Sequence, residues 1–221
     1  MNGAGKDDLK ILAHRGWWTE TGEKNSLAAL RRALEAGFGI ETDVRDFCGR
    51  LVISHEVADA GCPPLGDVLE LVEAADTALP VALNIKADGL QDLLDDALGS
   101  RRLTGVFVFD MSVPDAVIYL AHRDGAERPP YAVFSRFSEY ERQPSFADAA
   151  DGIWADEFDG AWLTVAEIET FAADKTVCVV SPELHGRGHL AAWKMYAQAP
   201  HFMEGGLLCT DYPEDARGFF Q

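Results

Sequence analysis

A single α/β domain spanning residues 1–221, folded as a (β/α)8 TIM barrel, is the architecture this sequence predicts. Short apolar runs alternate with helix-period segments from one end to the other, and eight such strand–helix units can be counted. No Gly/Ser- or Pro-rich linker divides them. Unbroken alternation argues a parallel sheet, and eight units favour its closure, at a length near the short end for that fold. An open doubly wound sheet is the alternative.

The elements follow in order. Leu9 to Ala13 reads as the first strand, and a helix from about Ser26 to Ala36 follows, with Leu27, Leu30, Ala33 and Leu34 on one face. Asn25 or Ser26 can cap that helix and Gly37 ends it. Phe38 to Val44 is the second strand, and Leu51 to Ser54 extends the same sheet region after a turn at Cys48-Gly49-Arg50. A helix over 65–75, a strand over 81–85, a helix over 90–98, a strand over 106–109 and a helix over 113–122 continue the pattern. The second half predicts strands at 131–134, 153–155, 177–180 and 207–209, with helices near 145–150, 165–173, 189–197 and 214–220.

Composition bounds the function. Hydrophobic residues at 48% and charged residues at 25% are ordinary for a globular chain, so a sizeable core is available. The net charge of −18 argues against binding a nucleic-acid duplex or an anionic membrane, which need a basic face. No run approaches the roughly 18 apolar residues of a membrane span. Met1 to Lys10 is polar and lacks the apolar stretch of a signal peptide, so a cytoplasmic location is expected. Cys48, Cys62, Cys178 and Cys209 show no zinc spacing; the last two read as buried thiols, and a Cys48–Cys62 disulfide is not expected without export.

The chemistry-bearing residues gather at strand ends. The first strand stops at His14-Arg15-Gly16, the second carries Glu41 and Asp43, and the run after the turn stops at His55. Residues two apart on a strand face the same way, so Glu41 and Asp43 share a face and repel unless a cation or shared proton compensates. Oxygen ligands suit magnesium or calcium. The two histidines supply an acid and a base that work near neutral pH. Active sites of (β/α)8 barrels lie at the C-terminal strand ends. Read in order, those ends present His14 and Arg15, Glu41 and Asp43, Asn84 and Lys86, Asp110, Arg136, Asp156, Glu183 with His185, and Asp211.

With those residues in place, the chain resembles the glycerophosphodiester phosphodiesterases from His14 to Pro213. His14-Arg15-Gly16 is similar to the family's HRG, and Asn25-Ser26 with Ala28-Ala29-Leu30 and Gly37 to its PEN(T/S)…A…G segment. Ile40-Glu41-Thr42-Asp43-Val44 is similar to IExDV, Leu51 to Glu56 to LVxxHD, and Thr210-Asp211-Tyr212-Pro213 to TDYP. The resemblance implies a (β/α)8 barrel and hydrolysis of a small or polymeric glycerol- or polyol-linked phosphodiester. It implies His14 and His55 as acid and base, and one divalent cation (Mg or Ca) on Glu41 and Asp43. Arg15 and Lys86 would grip the phosphate.

Three departures stand out. PEN becomes Glu23-Lys24-Asn25, and the ExK of the next barrel strand becomes Asn84-Ile85-Lys86, leaving Asn84 as a neutral third ligand. The segment 57–64 is short where the family inserts a subdomain, so sphingomyelinase D-like or phosphatidylinositol phospholipase C-like activity is the enzymatic alternative. A catalytically silent phosphate-binding barrel is the non-enzymatic one. Arg136, Glu183 and His185 on the rim, with Trp17 or Trp18 beside His14, are expected to contact substrate, and Trp17 is the tryptophan assigned there. His122, His189 and His201 are expected at the surface.

Overall fold

The computed structural model describes residues 8–75, 78–99, 101–123 and 131–221; the polar segment 1–7 lies outside them. Nine strands form one sheet: β1 (Lys10–His14), β2 (Gly39–Phe47), β3 (Arg50–Ile53), β4 (Val81–Ile85), β5 (Val106–Phe109), β6 (Ala132–Phe137), β7 (Gly152–Ala155), β8 (Thr176–Val180) and β9 (Leu207–Thr210). Eight of them pair in parallel in the ring order β1-β2-β4-β5-β6-β7-β8-β9, and β9 pairs back onto β1. The predicted (β/α)8 barrel is the fold observed. β3 stands outside the ring as an antiparallel partner of the end of β2, Val44 opposite Ile53 and Phe47 opposite Arg50. That pairing carries β2 three residues past the apolar run, because the hairpin supplies hydrogen bonds that the polar Arg45 and Asp46 could not signal.

Helices α1 (Leu27–Glu35), α2 (Leu65–Ala74), α3 (Gln91–Gly99), α4 (Val113–Arg123), α5 (Val165–Ala172), α6 (Leu190–Tyr196), α7 (Pro200–Met203) and α8 (Pro213–Phe220) follow the strands. Ser26, not Asn25, caps α1 through the backbone N–H of Ala29. The helix expected at 145–150 is absent: isolated turns, such as Ala150 N–H to Phe146 O, occupy that stretch. The sequence reading also missed the single turn α7 and a 3-10 turn at Pro182–His185.

Strand parity divides the core. Ile11, Ala13, Ile40, Val44, Leu83, Val108, Ile153, Val179 and Leu208 pack outward against the helices. Leu12, Ala82, Phe107, Phe109, Phe134, Trp154, Cys178, Val180, Leu207 and Cys209 alternate with them and fill the barrel. Phe107 stacks on Phe134 at 4.1 Å and Phe109 on Trp154 at 3.7 Å, so the interior is plugged with aromatic rings. Burial pushes the Cys178 and Cys209 thiols up, which leaves them inert at neutral pH. Cys48 and Cys62 are also free. No helix among the described residues is long and apolar enough to cross a membrane.

Candidate active site

Extending each interior-facing phase by one position gives the ring of polar residues at the barrel mouth. Leu12 is followed by His14, Ala82 by Asn84, Phe134 by Arg136, Trp154 by Asp156, and Cys209 by Asp211. On β2 the outward Ile40 and Val44 leave Glu41 and Asp43 facing in, with His14 beside Glu41 and Asp43 beside Asn84 in register. The strand pattern itself therefore builds the site.

His14 sits at its centre. Its Nδ1 is 2.6 Å from Asp211 Oδ1, and its Nε2 is 3.9 Å from Glu41 Oε2. A carboxylate on Nδ1 fixes the tautomer that leaves Nε2 for chemistry. Burial opposes the charged form of Asp211, yet the hydrogen bond and charge of His14, with Lys24 at 3.5 Å, hold its carboxyl below the usual range. After His14 the chain turns through two left-handed residues, Arg15 at φ 57° and Gly16 at φ 84°. Gly16 packs so closely on the first turn of α1 that a Cβ would lie 2.7 Å from backbone atoms of Ala29 and Leu30. This turn aims the Arg15 amide at the main-chain oxygen of Glu41 (3.0 Å) and its Oε2 (3.2 Å), and sets Arg15 Nε 3.0 Å from Asp43 Oδ2.

Glu41 and Asp43 are fully buried and share a face. Burial first, and the Asp43 charge second, push the Glu41 carboxyl up to about 7. Asp43 is matched by Arg15, by Lys86 at 3.5 Å and by the Asn25 amide, which donates to Oδ2 at 2.8 Å while its own oxygen accepts from Thr42. Lys86 also lies 3.4 Å from Asp110, which takes a 2.6 Å bond from Arg136, and Arg136 is held in turn by Glu141. Asp110 adopts φ 69°, a strained conformation for a residue with a side chain.

Among the described residues no group of three His, Cys, Asp or Glu side chains is arranged to hold a metal ion. The donor set nevertheless fits a hard cation once the amide is counted. Asp43 and Asn84 are register partners, and each has a buried Oδ1 without a hydrogen bond; Lys86 Nζ stands 3.5 Å from that of Asp43, and the Asn84 oxygen is a neutral donor of the kind a hard cation accepts. Glu23 contributes nothing there: it binds Arg32 and Thr19 outside the mouth, and Lys24 is the residue that reaches in to Asp211.

Other expectations fare differently. His55 follows β3 at the rim, its side chain 43% exposed and its Nδ1 2.7 Å from Glu56; it does not bond to His14. Trp17 is partly buried and packs edge-on against Phe38, while Trp18 donates to His14 O and lies 4.4 Å below Lys24. Both oxygens of Glu183 accept hydrogen bonds, from Ser181, Thr210 and the Asp211 amide, where it staples the end of β8 to β9. His185 bonds Asp156 at 2.7 Å. His122 and His201 are partly exposed and paired with Asp95 and Glu169; His189 is also partly exposed, at 20%, and packs on Trp193 at 4.1 Å. The sequence places Asp110 and Asp211 at strand ends on the mouth without assigning either a role, and assigns none to Asn25 or Lys24.

No family model and no curated protein matches the chain. Its fold is similar to solved glycerophosphodiester phosphodiesterase structures. One from Parabacteroides distasonis is 18% identical at a TM-score of 0.65, covering 98% of both chains. An Oleispira antarctica phosphodiesterase in complex with the product sn-glycerol-3-phosphate is 16% identical at 0.65, covering 96% of both. A Ca-dependent phosphatidylinositol-specific phospholipase C from Streptomyces antibioticus is 9% identical at 0.56, covering 97% of this chain and 96% of that one. Mutant tryptophan synthase α-subunits from Pyrococcus furiosus also match, so the likeness defines the barrel and leaves the chemistry to the residues at its mouth.

Proposed function

We propose that this chain is a metal-dependent phosphodiesterase that hydrolyses a glycerol- or polyol-linked phosphodiester by acid–base catalysis at His14 and His55. One observation carries the reading: an imidazole oriented by Asp211 stands beside a buried carboxylate pair that is flanked by Arg15 and Lys86. A phosphodiester is a monoanion, and that is the group such a mouth complements. The guanidinium of Arg15 pairs with Asp43 with Nε 3.0 Å from Oδ2, and a guanidinium presents a planar fork of donors that matches phosphate oxygens. Lys86, shared by Asp43 and Asp110, adds a second point of charge.

His14 Nε2 exchanges a proton with one reacting oxygen while Asp211 stabilises the imidazolium. His55, whose Nδ1 is taken by Glu56, serves the oxygen on the other side through Nε2. Magnesium or calcium held by Glu41, Asp43 and the Asn84 amide oxygen would neutralise charge growing on the phosphoryl oxygens. Likeness to an enzyme solved with sn-glycerol-3-phosphate supports a small polyol phosphate as product. Turnover of an aryl phosphodiester with magnesium or calcium, abolished by chelator and restored by the ion, is the expected result. Full activity after exhaustive chelation would refute metal dependence.

A further inference from the structure

One cation at the mouth, Lys24, has no part in that reaction. It stands where the resembled PEN segment has its glutamate, so the charge at that position is reversed. A 3-10 turn at Thr21–Glu23 delivers it, and the chain is anchored on both sides of it. Before it, Glu23 pairs with Arg32 of α1 at 3.0 Å. After it, Asn25 adopts a left-handed φ of 63°, donates its main-chain N–H to Arg15 O at 2.9 Å and binds Asp43 and Thr42 through its side-chain amide. Held between these anchors, Lys24 lies across the face of Trp18 and ends 3.5 Å from Asp211 Oδ2.

These contacts close a ring around His14. The Trp18 indole donates to His14 O at 3.2 Å, Lys24 Nζ stands 4.4 Å from the indole ring and reaches Asp211, and Asp211 returns to His14 Nδ1 at 2.6 Å. The two oxygens of Asp211 are thereby divided, Oδ1 to the imidazole and Oδ2 to the ammonium. Glu183 fixes the Asp211 main-chain N–H separately at 3.1 Å, so what Lys24 adds is control of the carboxylate's own rotation. That last torsion is broad in an aspartate left to itself. A carboxylate held at one oxygen can swing and carry the imidazole with it. Held at both, it fixes the direction in which His14 Nε2 faces the mouth, and small misplacements of a reacting group are costly in rate.

We propose that Lys24 is a positioning residue for His14, acting through Asp211. Its effect on rate rests on the phosphodiesterase reading above. Lys24→Met keeps an apolar stem on Trp18 and removes the ammonium; Lys24→Arg keeps the charge and can stack on the indole while pairing with the carboxylate. Lys24 is partly exposed, and thermal melting reports the folding of each variant. With bis(p-nitrophenyl) phosphate and magnesium or calcium, Lys24→Met should lower kcat at least about tenfold with KM within about twofold, and Lys24→Arg should return kcat to within about threefold of wild type. A raised KM with kcat unchanged would make Lys24 a substrate ligand, and equal losses in the Met and Arg variants would make it a packing residue; either overturns the proposal. In an Asp211→Asn background, Lys24→Met should cost less than about twofold more, whereas fully additive losses would overturn action through Asp211. If Asp211→Asn unfolds, the single variants decide. The proton on His14 Nδ1, followed by NMR at fixed pH with chelator and assigned by its loss in His14→Ala, needs no turnover. It should be sharp in wild type and Lys24→Arg and broadened by exchange in Lys24→Met. An identical line in all three would overturn the proposal. The expected NMR pattern in a wild type that cleaves no phosphodiester would overturn the function and leave the positioning role supported.

Discussion

Replacing Glu41 by Gln should make the metal-free protein more stable, and only at neutral or higher pH. Glu41 is buried against Asp43, and its carboxyl is raised from 4.5 to about 7. A raised acid binds its proton more tightly folded than unfolded. Its contribution is therefore intact below about pH 4.5 and is lost as pH climbs toward 7. Two and a half units correspond to about 3 kcal/mol at pH 8. Gln carries no charge to desolvate, and its amide oxygen can still accept from the Arg15 N–H. Urea unfolding with chelator present should show wild type and Glu41→Gln nearly equal at pH 5, with the variant ahead by about 3 kcal/mol at pH 8. For a chain of this size that is about 6–12 °C in Tm. The difference between the two proteins isolates Glu41 from opposing groups such as Asp211. A gap of the same size at both pH values would refute the buried-charge account of the site.

Further outcomes follow from the same geometry. His14→Ala and His55→Ala should each lower turnover at least about 100-fold while circular dichroism stays native; near wild-type rates in either would remove that residue from catalysis. Asn84→Glu adds a third carboxylate beside Asp43 and Glu41, so magnesium or calcium should raise its Tm more than that of wild type. Equal shifts would place Asn84 outside the cation shell. Gly152→Ala drives a methyl into the Phe134 ring, which is already stacked on Phe107, and should cost about 1–3 kcal/mol in urea unfolding; an unchanged midpoint would show that the aromatic plug yields.

The barrel was legible because its signals are local. Alternation along each strand separates the helix side from the interior, and the parity that buries Leu12 and Cys209 places His14 and Asp211 at the mouth. Glu41, Asp43 and Asn84 were legible for the same reason. Partnerships across the ring were not. Nothing near His14 announces Asp211, almost two hundred positions later, and nothing near Asp156 announces His185. Which of Trp17 and Trp18 turns inward depends on the left-handed turn at Arg15 and Gly16, and that turn is set by packing on α1. Glu183 is charged and follows a strand, but its bonds to Thr210 and the Asp211 amide cross to β9, and no local signal announces them. The stretch 145–150 has helical composition but makes only single turns.

The most direct test is phosphorus NMR of a glycerol phosphodiester incubated with the purified protein and magnesium or calcium. Wild type should convert it to a phosphomonoester, directly or through a cyclic phosphate, and His14→Ala at least about 100-fold more slowly. An unchanged phosphodiester resonance with either ion, or equal conversion by wild type and His14→Ala, would contradict it.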